Sequence, residues 1–366
     1  MSGAEEFRAA KESRADLARR VNRPGLGDSV TRMVNAAVYR ATHLPVRAEK
    51  TTTTHPTPTA EGTVPTPLGP SLGNALRTAG ARIVALKQNA LRTPDGVVRY
   101  VDTGAGPPVL LVHGIFGGAD AALRQLAPLV PDGYRILAPS RFGYLGSTLP
   151  AGASPASQAD AFAALLDRLD IEKTAVIAAS AGSTSALQLA IRYPERVSAL
   201  VLVSPNGPGC QHDRPPMPRV LASALWGSER LMWLARRRFT TRVPRMMGVP
   251  EDKRLSEADR VRVDAELDGI FPVTERVQGA LFDAFVSNPD INDGYEFGRV
   301  SAPTLVVHAR DDALAPCWAA IALAQSIPGA RLHVLEDGGG HLMLGEHPEV
   351  AVEIGALLRF TRSAQD

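Results

Sequence analysis

The chain has 366 residues, of which 45% are hydrophobic, and its formal net charge at neutral pH is +2. This length and apolar content suffice for one sizeable buried core and a smaller accessory region. The balanced charge gives no footprint for a nucleic-acid partner, and the two cysteines do not indicate a disulfide framework.

The amino-terminal region differs in composition from the rest of the chain. Residues 1–50 contain ten Lys or Arg and six Asp or Glu, which predicts a basic, partly helical extension. Residues 51–70 are rich in Thr and Pro and read as a linker. Residues 71–92 predict an amphipathic helix, and we favour its docking on the protein over membrane-surface contact through residues 72–91. No secretion signal or long apolar run is apparent, so we expect a cytoplasmic location.

Strand and helix patterns alternate from about residue 93 onward. This rhythm predicts a mostly parallel, doubly wound α/β sheet with helices on both faces. Loops that carry function gather at the carboxyl ends of the strands in such sheets. The predicted strands are Val109–Val112, Tyr134–Ala138, Thr174–Ile177, Val197–Ser204, Thr304–His308 and Arg331–Leu335.

Ser180 lies between the predicted strand Thr174–Ile177 and a predicted helix. A sharp strand-to-helix turn lifts the side chain at the turn above the sheet edge and aims helix-start N–H groups at the same point. The residues two before and two after it must be small, and Ala178 and Gly182 satisfy that demand. Ser180 is therefore a candidate nucleophile.

Several motifs together make the chain resemble the α/β-hydrolase superfamily over roughly Thr93 to Arg359. They are His113-Gly114, the Ser180 turn, Tyr193–Val197, Asp312 and Gly340-His341. The resemblance implies Ser180 as nucleophile, His341 as general base and Asp312 as the acid that orients the histidine. Their order along the chain is the one expected for this fold. The spacing to a following proline favours Asp312 over Asp311, which we assign to a solvated loop charge.

The chemistry explains why these residue types are needed. A serine hydroxyl is a poor nucleophile until an imidazole removes its proton, and a carboxylate fixes the imidazole tautomer. The developing oxyanion needs donors, and the resemblance implies the backbone N–H groups of Ile115 and Ala181, with Phe116 as a third candidate. We also expect the Phe116 ring to line the substrate pocket.

Three positions depart from the family pattern. Ala178 and Ser183 stand where glycines are usual, and Ser140 stands where many relatives carry a structural aspartate. These changes weaken assignment to one subfamily without casting doubt on catalysis. Serine rather than aspartate at position 180 argues against the haloalkane dehalogenase and epoxide hydrolase branches.

The interval between the strands ending at Ser204 and starting at Thr304 is too long for one crossover. We predict a helical cap over residues 205–300, inserted into a core of residues 93–204 and 301–366. Its predicted helices are Pro218–Arg237, Ser256–Leu267 and Val273–Val286. A cap excludes water and shapes substrate choice, and Trp226, Met246 and Met247 are candidate pocket residues.

These observations favour a cofactor-independent serine hydrolase with no metal site that cleaves a carboxylic ester of a small organic molecule. Carbon–carbon bond hydrolysis of a diketone ring-cleavage product is an alternative, because residues 205–209 resemble the Gly/Pro-rich loop of those relatives. Acyl transfer or perhydrolysis on the same triad, and a catalytically inactive binding protein, also stay open.

Overall fold

A computed structural model describes residues 71–209, 217–239, 248–249, 256–341 and 347–363. All of these lie in one compact unit, Gly62–Asp366. The predicted extension over residues 1–50, the linker over 51–70, and Met246 and Met247 lie outside the described residues.

An eight-stranded sheet has the order β1-β2-β4-β3-β5-β6-β7-β8. β1 and β2 pair antiparallel, as do β2 and β4, while every other pairing is parallel. The predicted fold class, a mostly parallel sheet with helices, is therefore confirmed. The strands are β1 (Asn89–Thr93), β2 (Gly96–Gly104), β3 (Pro108–Val112), β4 (Arg135–Pro139), β5 (Thr174–Ala179), β6 (Val197–Val203), β7 (Thr304–Ala309) and β8 (Arg331–Leu335).

The central parallel strands are continuous apolar runs because helices cover both of their faces. Alternate residues of β3 enter opposite core clusters, with Leu110 and Val112 on one side and Val109 and Leu111 on the other. The longer helices are α1 (Leu72–Ala85), α2 (Ala119–Gln125), α3 (Pro155–Arg168), α4 (Gly182–Arg192), α5 (Arg219–Trp226), α6 (Glu229–Arg238), α7 (Glu257–Gly269), α8 (Val277–Phe282), α9 (Cys317–Ser326) and α10 (Pro348–Ser363).

Three predicted helices differ from the observed ones. The helix expected over Val273–Val286 is divided into a 3-10 turn (Val273–Glu275), α8 and a π-helical turn. The helix expected over residues 218–237 is two helices, because Gly227 ends α5 and the Ser228 side chain caps α6 by accepting from the Leu231 N–H. The helix expected over residues 71–92 ends at Ala85, since Asn89–Thr93 forms an edge strand paired with β2.

Helix α8 continues into a π-helical turn over Asp283–Ser287 and a short helical turn over Asn288–Asp290. Both continuations lie in the predicted cap region, between β6 and β7. A π-turn inserts an extra residue into the helix and redirects the side chains that it carries. This turn brings buried polar groups of the region between β6 and β7 to the sheet core.

Helix α1 packs against the helices between β6 and β7. Ala79 is fully buried in a cluster with Phe271 and Val273. Arg82 donates to the backbone carbonyls of Asp268 at 3.0 Å and Phe271 at 3.2 Å, so one of its basic side chains also points inward. Across the described ranges, no helix is both long and apolar enough to cross a membrane.

Candidate active site

Ser180 lies at the tight turn between β5 and α4. Its φ of +49° is in the left-handed region, a strained conformation for a residue with a side chain. The turn is held because the Ser180 N–H donates to the Val203 carbonyl at 3.0 Å. Gly182 packs so closely that an added Cβ would lie 2.6 Å from the His113 carbonyl oxygen and 2.7 Å from that of Val112. A larger residue at 182 would therefore displace the end of β3.

Three side chains from three strand ends meet at this turn. Ser180 Oγ lies 2.8 Å from His341 Nε2, and His341 Nδ1 lies 2.7 Å from Asp312 Oδ2. Ser180 follows β5, Asp312 follows β7, and His341 follows β8. When Nδ1 carries the proton and donates to Asp312, Nε2 is free to accept the serine proton. The arrangement can therefore move a proton away from Ser180.

The Asp312 carboxylate is held by its own loop. Its Oδ1 accepts from the backbone N–H groups of Leu314 at 2.8 Å and Ala315 at 2.9 Å, which leaves Oδ2 for His341. Burial alone would raise the pKa of Asp312, but the charge of His341 and its hydrogen bond lower that pKa below the ordinary value. The carboxylate thus stays ionised and oriented toward the imidazole.

Asp311 has a different role from the solvated charge that the sequence predicted. Its two carboxylate oxygens accept from the backbone N–H groups of Gly339 and Gly340, each at 3.1 Å. These glycines immediately precede His341. Asp311 therefore stabilises the loop that carries His341, while its neighbour Asp312 contacts the imidazole directly.

Two further groups enclose the histidine and its carboxylate. His308, buried at the end of β7, lies 2.8 Å through Nε2 from the Ala315 carbonyl, and burial lowers its pKa. The carbonyl of Gly248 accepts from the His341 N–H at 3.3 Å. A Cβ on Gly248 would lie 2.5 Å from that of His341, and its φ of +85° favours glycine. The region between β6 and β7 therefore reaches the site through backbone alone at this point.

The loop after β3, residues 113–118, faces the serine turn. A Cβ on Gly114 would lie 3.1 Å from the Ser180 Cβ, so the loop approaches Ser180 closely. The N–H groups of Ile115 and Ala181 have no hydrogen-bond acceptor in the described part of the chain. The third candidate donor, the N–H of Phe116, lies beside the Tyr144 hydroxyl.

His113 shapes this loop. The N–H of Arg141 donates to His113 Nε2 at 3.0 Å, so the proton of the neutral ring is on Nδ1, which donates to the Gly114 carbonyl at 2.8 Å. Burial and the positive charge of Arg141 hold the pKa of His113 well below its ordinary value. His113 therefore stays neutral and shapes the turn through these hydrogen bonds.

An aromatic cluster stands beside the loop. The ring of Phe116 packs edge-on against Trp226 of α5, with ring centroids 5.3 Å apart. Trp226 in turn neighbours Phe285 of the π-turn, and these two ring centroids are 6.5 Å apart. Arg219 lies 5.9 Å above the Phe285 ring. Two of the four candidate pocket residues, Phe116 and Trp226, are thus in contact. Phe285 was missed because a lone aromatic in a helical pattern looks like core packing.

A buried polar cluster joins the loop after β4 to the π-turn. The Arg141 guanidinium donates to both oxygens of Asp283, at 2.7 and 2.5 Å, and the Tyr144 hydroxyl donates to the same carboxylate at 2.5 Å. The side chains of the ion pair are fully buried. No local sequence pattern predicts this cluster, since its partners are distant along the chain.

A second buried ion pair lies on the other side of the loop. Arg276 donates to Asp120 Oδ1 at 3.0 Å and to Oδ2 at 2.7 Å, and its Nη1 also donates to the Gly117 carbonyl. Asp120 lies in the first turn of α2, where a carboxylate also complements the helix dipole. Both arginine–aspartate pairs therefore link the region between β6 and β7 to the core beside the loop.

Ser140, which stands where relatives carry aspartate, keeps a hydrogen-bonding role. Its hydroxyl oxygen accepts from the Ala119 N–H at the start of α2 at 3.1 Å and donates to the Gln88 side chain at 3.0 Å. Among the described residues, no cluster of three or more His, Cys, Asp or Glu side chains could hold a metal ion.

The chain order of Ser180, Asp312 and His341, each after a strand of the sheet, agrees with a match to a known family. A family model described as the alpha/beta hydrolase fold matches residues 107–348, which include the whole site. The chain belongs to the alpha/beta hydrolase fold family. It is thus a hydrolase of this fold with a small-molecule substrate, and the resemblance drawn from the sequence is confirmed.

Known members of the alpha/beta hydrolase family show how far the similarity extends. The chain is 30% identical over 268 residues to a 2-hydroxy-6-oxononadienedioate/2-hydroxy-6-oxononatrienedioate hydrolase from Paraburkholderia xenovorans, covering 71% of this chain and 90% of the relative. An alpha/beta hydrolase fold protein from Nakamurella multipartita is 31% identical with a TM-score of 0.59, covering 75% and 99%. A thermophilic esterase from Thermogutta terrifontis is 25% identical with a TM-score of 0.55, covering 75% and 99%.

Proposed function

We propose that Ser180, His341 and Asp312 form a catalytic triad that hydrolyses a carbonyl substrate through an acyl-enzyme. The observation that carries this proposal is the unbroken hydrogen-bond chain, 2.8 Å from Ser180 Oγ to His341 Nε2 and 2.7 Å from Nδ1 to Asp312 Oδ2. Such a chain lets the imidazole take the serine proton while the carboxylate stabilises the resulting imidazolium.

In the proposed reaction, Ser180 Oγ attacks the substrate carbonyl carbon and its proton passes to His341 Nε2. Negative charge develops on the carbonyl oxygen, and the N–H groups of Ile115 and Ala181 stabilise it. The intermediate then collapses, the leaving group departs with the proton from His341, and the acyl group stays on Ser180. His341 next takes a proton from water, which attacks the acyl carbon. The bond from that carbon to Ser180 Oγ then breaks, His341 returns the proton to Oγ, and a carboxylic acid is released.

The substrate class that we propose first is a vinylogous diketone, cleaved at a carbon–carbon bond. The support is the relative from Paraburkholderia xenovorans, whose name describes hydrolysis of a 2-hydroxy-6-oxo-dienedioate and which shares 30% identity over 90% of its length. Such a molecule must first pass to its diketone tautomer, in which the 2-hydroxyl proton has moved to C5. The bond between C5 and the attacked ketone can then break, because the departing electron pair is delocalised through the remaining double bond toward the C2 carbonyl. The same serine attack and oxyanion donors therefore serve this reaction.

Ester hydrolysis is the second candidate. It is favoured by the structural similarity to the Thermogutta terrifontis esterase, at 25% identity over 99% of that chain. An ester needs no tautomerisation, and its leaving group is an alkoxide, which needs the proton from His341 at departure. The two candidates share the serine attack that forms the tetrahedral intermediate.

The test compares the two substrate classes on the full-length protein. A 2-hydroxy-6-oxo-dienoate and p-nitrophenyl esters of increasing acyl length are assayed in parallel, with Ser180→Ala as the control variant. We expect cleavage of the dienoate with the higher kcat/KM, and a loss of up to about a million-fold in Ser180→Ala. Ester turnover without dienoate cleavage would reverse the order of the two candidates.

A fluorophosphonate probe tests the nucleophile without knowledge of the substrate. We expect an adduct on Ser180 that is absent from Ser180→Ala and from His341→Ala. Folded wild-type protein that resists the probe, together with no turnover of either substrate class, would refute the triad and favour a binding protein.

A further inference from the structure

We propose that Tyr144 and Arg276 are positioning residues that hold the loop of residues 113–118 so that the Ile115 N–H faces the developing oxyanion. The inference rests on the proposed function, in which that N–H is an oxyanion donor. Neither residue touches the substrate carbonyl in this proposal. Each acts through a backbone group of the loop.

The loop has little freedom of its own to set this geometry. Phe116 has a φ of +55°, in the left-handed region that a side chain disfavours. Gly117 is packed so that an added Cβ would lie 2.5 Å from His113 Nδ1. Conformations of this kind persist only where the surrounding structure imposes them. Contacts from outside the loop must therefore maintain it.

Tyr144 supplies the first of these contacts. Its hydroxyl lies beside the N–H of Phe116, and its O–H donates to Asp283 Oδ2 at 2.5 Å. Asp283 is in turn fixed by the two hydrogen bonds from Arg141. The Tyr144 ring also packs edge-on against His113, with centroids 4.8 Å apart. The phenol is thus oriented on both sides and holds Phe116 in its strained conformation.

Arg276 supplies the second contact, from the opposite side of the loop. Its Nη1 donates to the Gly117 carbonyl, while Asp120 orients the guanidinium through two hydrogen bonds at 3.0 and 2.7 Å. The Arg276 side chain is fully buried, so water does not compete for these donors.

Several polar groups of the loop have partners in or beside it. The Gly114 carbonyl accepts from His113 Nδ1 and from the Gly117 N–H, the Phe116 N–H faces Tyr144, and the Gly117 carbonyl accepts from Arg276. The Ile115 N–H has no such partner in the described part of the chain. Both holding side chains depend on the region between β6 and β7, through Asp283 and through Arg276 itself. The packing of that region against the core therefore determines the direction of the Ile115 N–H.

The experiment compares Tyr144→Phe with Tyr295→Phe. Tyr295 is a matched control because its hydroxyl also donates to a carboxylate, that of Asp290 at 2.8 Å, in the same region but away from the loop. The readouts are kcat and KM on whichever substrate the wild type cleaves best. Affinity for a trifluoromethyl ketone, which forms an oxyanion on the serine, and for the carboxylic acid product is measured alongside.

We expect Tyr144→Phe to lower kcat and trifluoromethyl ketone affinity in parallel, by roughly tenfold each, a fraction of the loss seen when an oxyanion donor is removed outright. KM and product affinity should stay within about twofold, and Tyr295→Phe should match the wild type. Arg276→Lys should show the same split. Its matched control is Arg124→Lys, which alters an arginine that pairs α2 with Glu266 of α7 at 2.8 Å without contacting the loop.

The outcomes separate the inference from the function on which it rests. Unchanged kcat and ketone affinity in Tyr144→Phe, or equal losses in Tyr295→Phe, would overturn the positioning role while Ser180 stays the nucleophile. A parallel fall in ketone and product affinity would also overturn it, since that pattern indicates general unfolding of the site. Wild-type protein that binds no trifluoromethyl ketone would refute the triad and the inference together.

Discussion

Acid titration of the Asp120–Arg276 pair is a test for which the structure gives the sign of the effect and its approximate size. Burial alone would raise the pKa of Asp120, but the charge of Arg276 and its hydrogen bonds lower that pKa from 3.8 to about 2. A carboxyl group whose pKa is lower in the folded state stabilises the fold above its unfolded pKa. That stabilisation is lost as the pH falls from about 4 to about 2.

The magnitude follows from the shift in pKa. A difference of nearly two pKa units corresponds to about 2 kcal/mol of unfolding free energy when the loss is complete. Because the unfolded chain takes up this proton near pH 4 and the folded protein only near pH 2, about 1 kcal/mol of this is lost between neutral pH and about pH 3. Replacement by Asn removes the titration, so Asp120→Asn should lack this component of the pH dependence.

Urea unfolding at several pH values between about 7 and 3 measures the effect, as the difference in free energy between wild type and Asp120→Asn. We expect the destabilisation caused by the substitution to shrink by about 1 kcal/mol toward the acid end. Asp102→Asn is the control, since Asp102 pairs with Arg135 at 2.7 Å where both side chains are partly exposed. A gap between wild type and Asp120→Asn that is constant with pH would refute the reasoning.

Three further substitutions test the site. Gly182→Ala places a Cβ 2.6 Å from the His113 carbonyl oxygen, so we expect the unfolding free energy measured in urea to fall by about 1–3 kcal/mol. Gly80→Ala is the control, because no atom lies within 4 Å of the added Cβ, and it should be neutral or stabilising. Asp312→Asn should lower kcat by about 10⁴-fold without unfolding the protein, and near-normal kcat would contradict its role. Asp311→Asn keeps one acceptor for the two glycine amides, so a fall in kcat of roughly tenfold with folding intact is expected, and an unchanged kcat would show that the loop holds itself.

The fold and the meeting of the three side chains could be predicted because each signal is local. Small residues around Ser180 are demanded by the turn itself, and the strand that precedes each candidate fixes the sheet edge at which it lies. Asp311 was misassigned because adjacent carboxylates in a loop look alike in sequence. Only the fold brings the Gly339 and Gly340 amides to one and the imidazole to the other.

The buried ion pairs could not be predicted, for a related reason. Arg141 and Asp283 are separated by 142 residues, and Asp120 and Arg276 by 156. Each residue alone is typical of a solvated surface, since charged side chains are almost never fully buried unless paired. Helix interruptions were missed as well, because the pattern across Gly227 and Ser228 stays apolar on one face while the caps are made by single residues.

Charged contacts beside the loop also bear on how the region between β6 and β7 is held. An apolar contact would allow that region to shift against the core at little cost in free energy. A buried guanidinium that loses its carboxylate instead leaves an unpaired charge, which costs about 3–5 kcal/mol. The two buried ion pairs therefore favour one position of that region on the core and destabilise other positions. They are Arg141 with Asp283 and Arg276 with Asp120. Because the same side chains reach the backbone of residues 116 and 117, a displaced region would misalign the Ile115 N–H. Exchanging Arg276 and Asp120 together for Met and Leu should accordingly preserve stability better than either single change, yet fail to restore kcat.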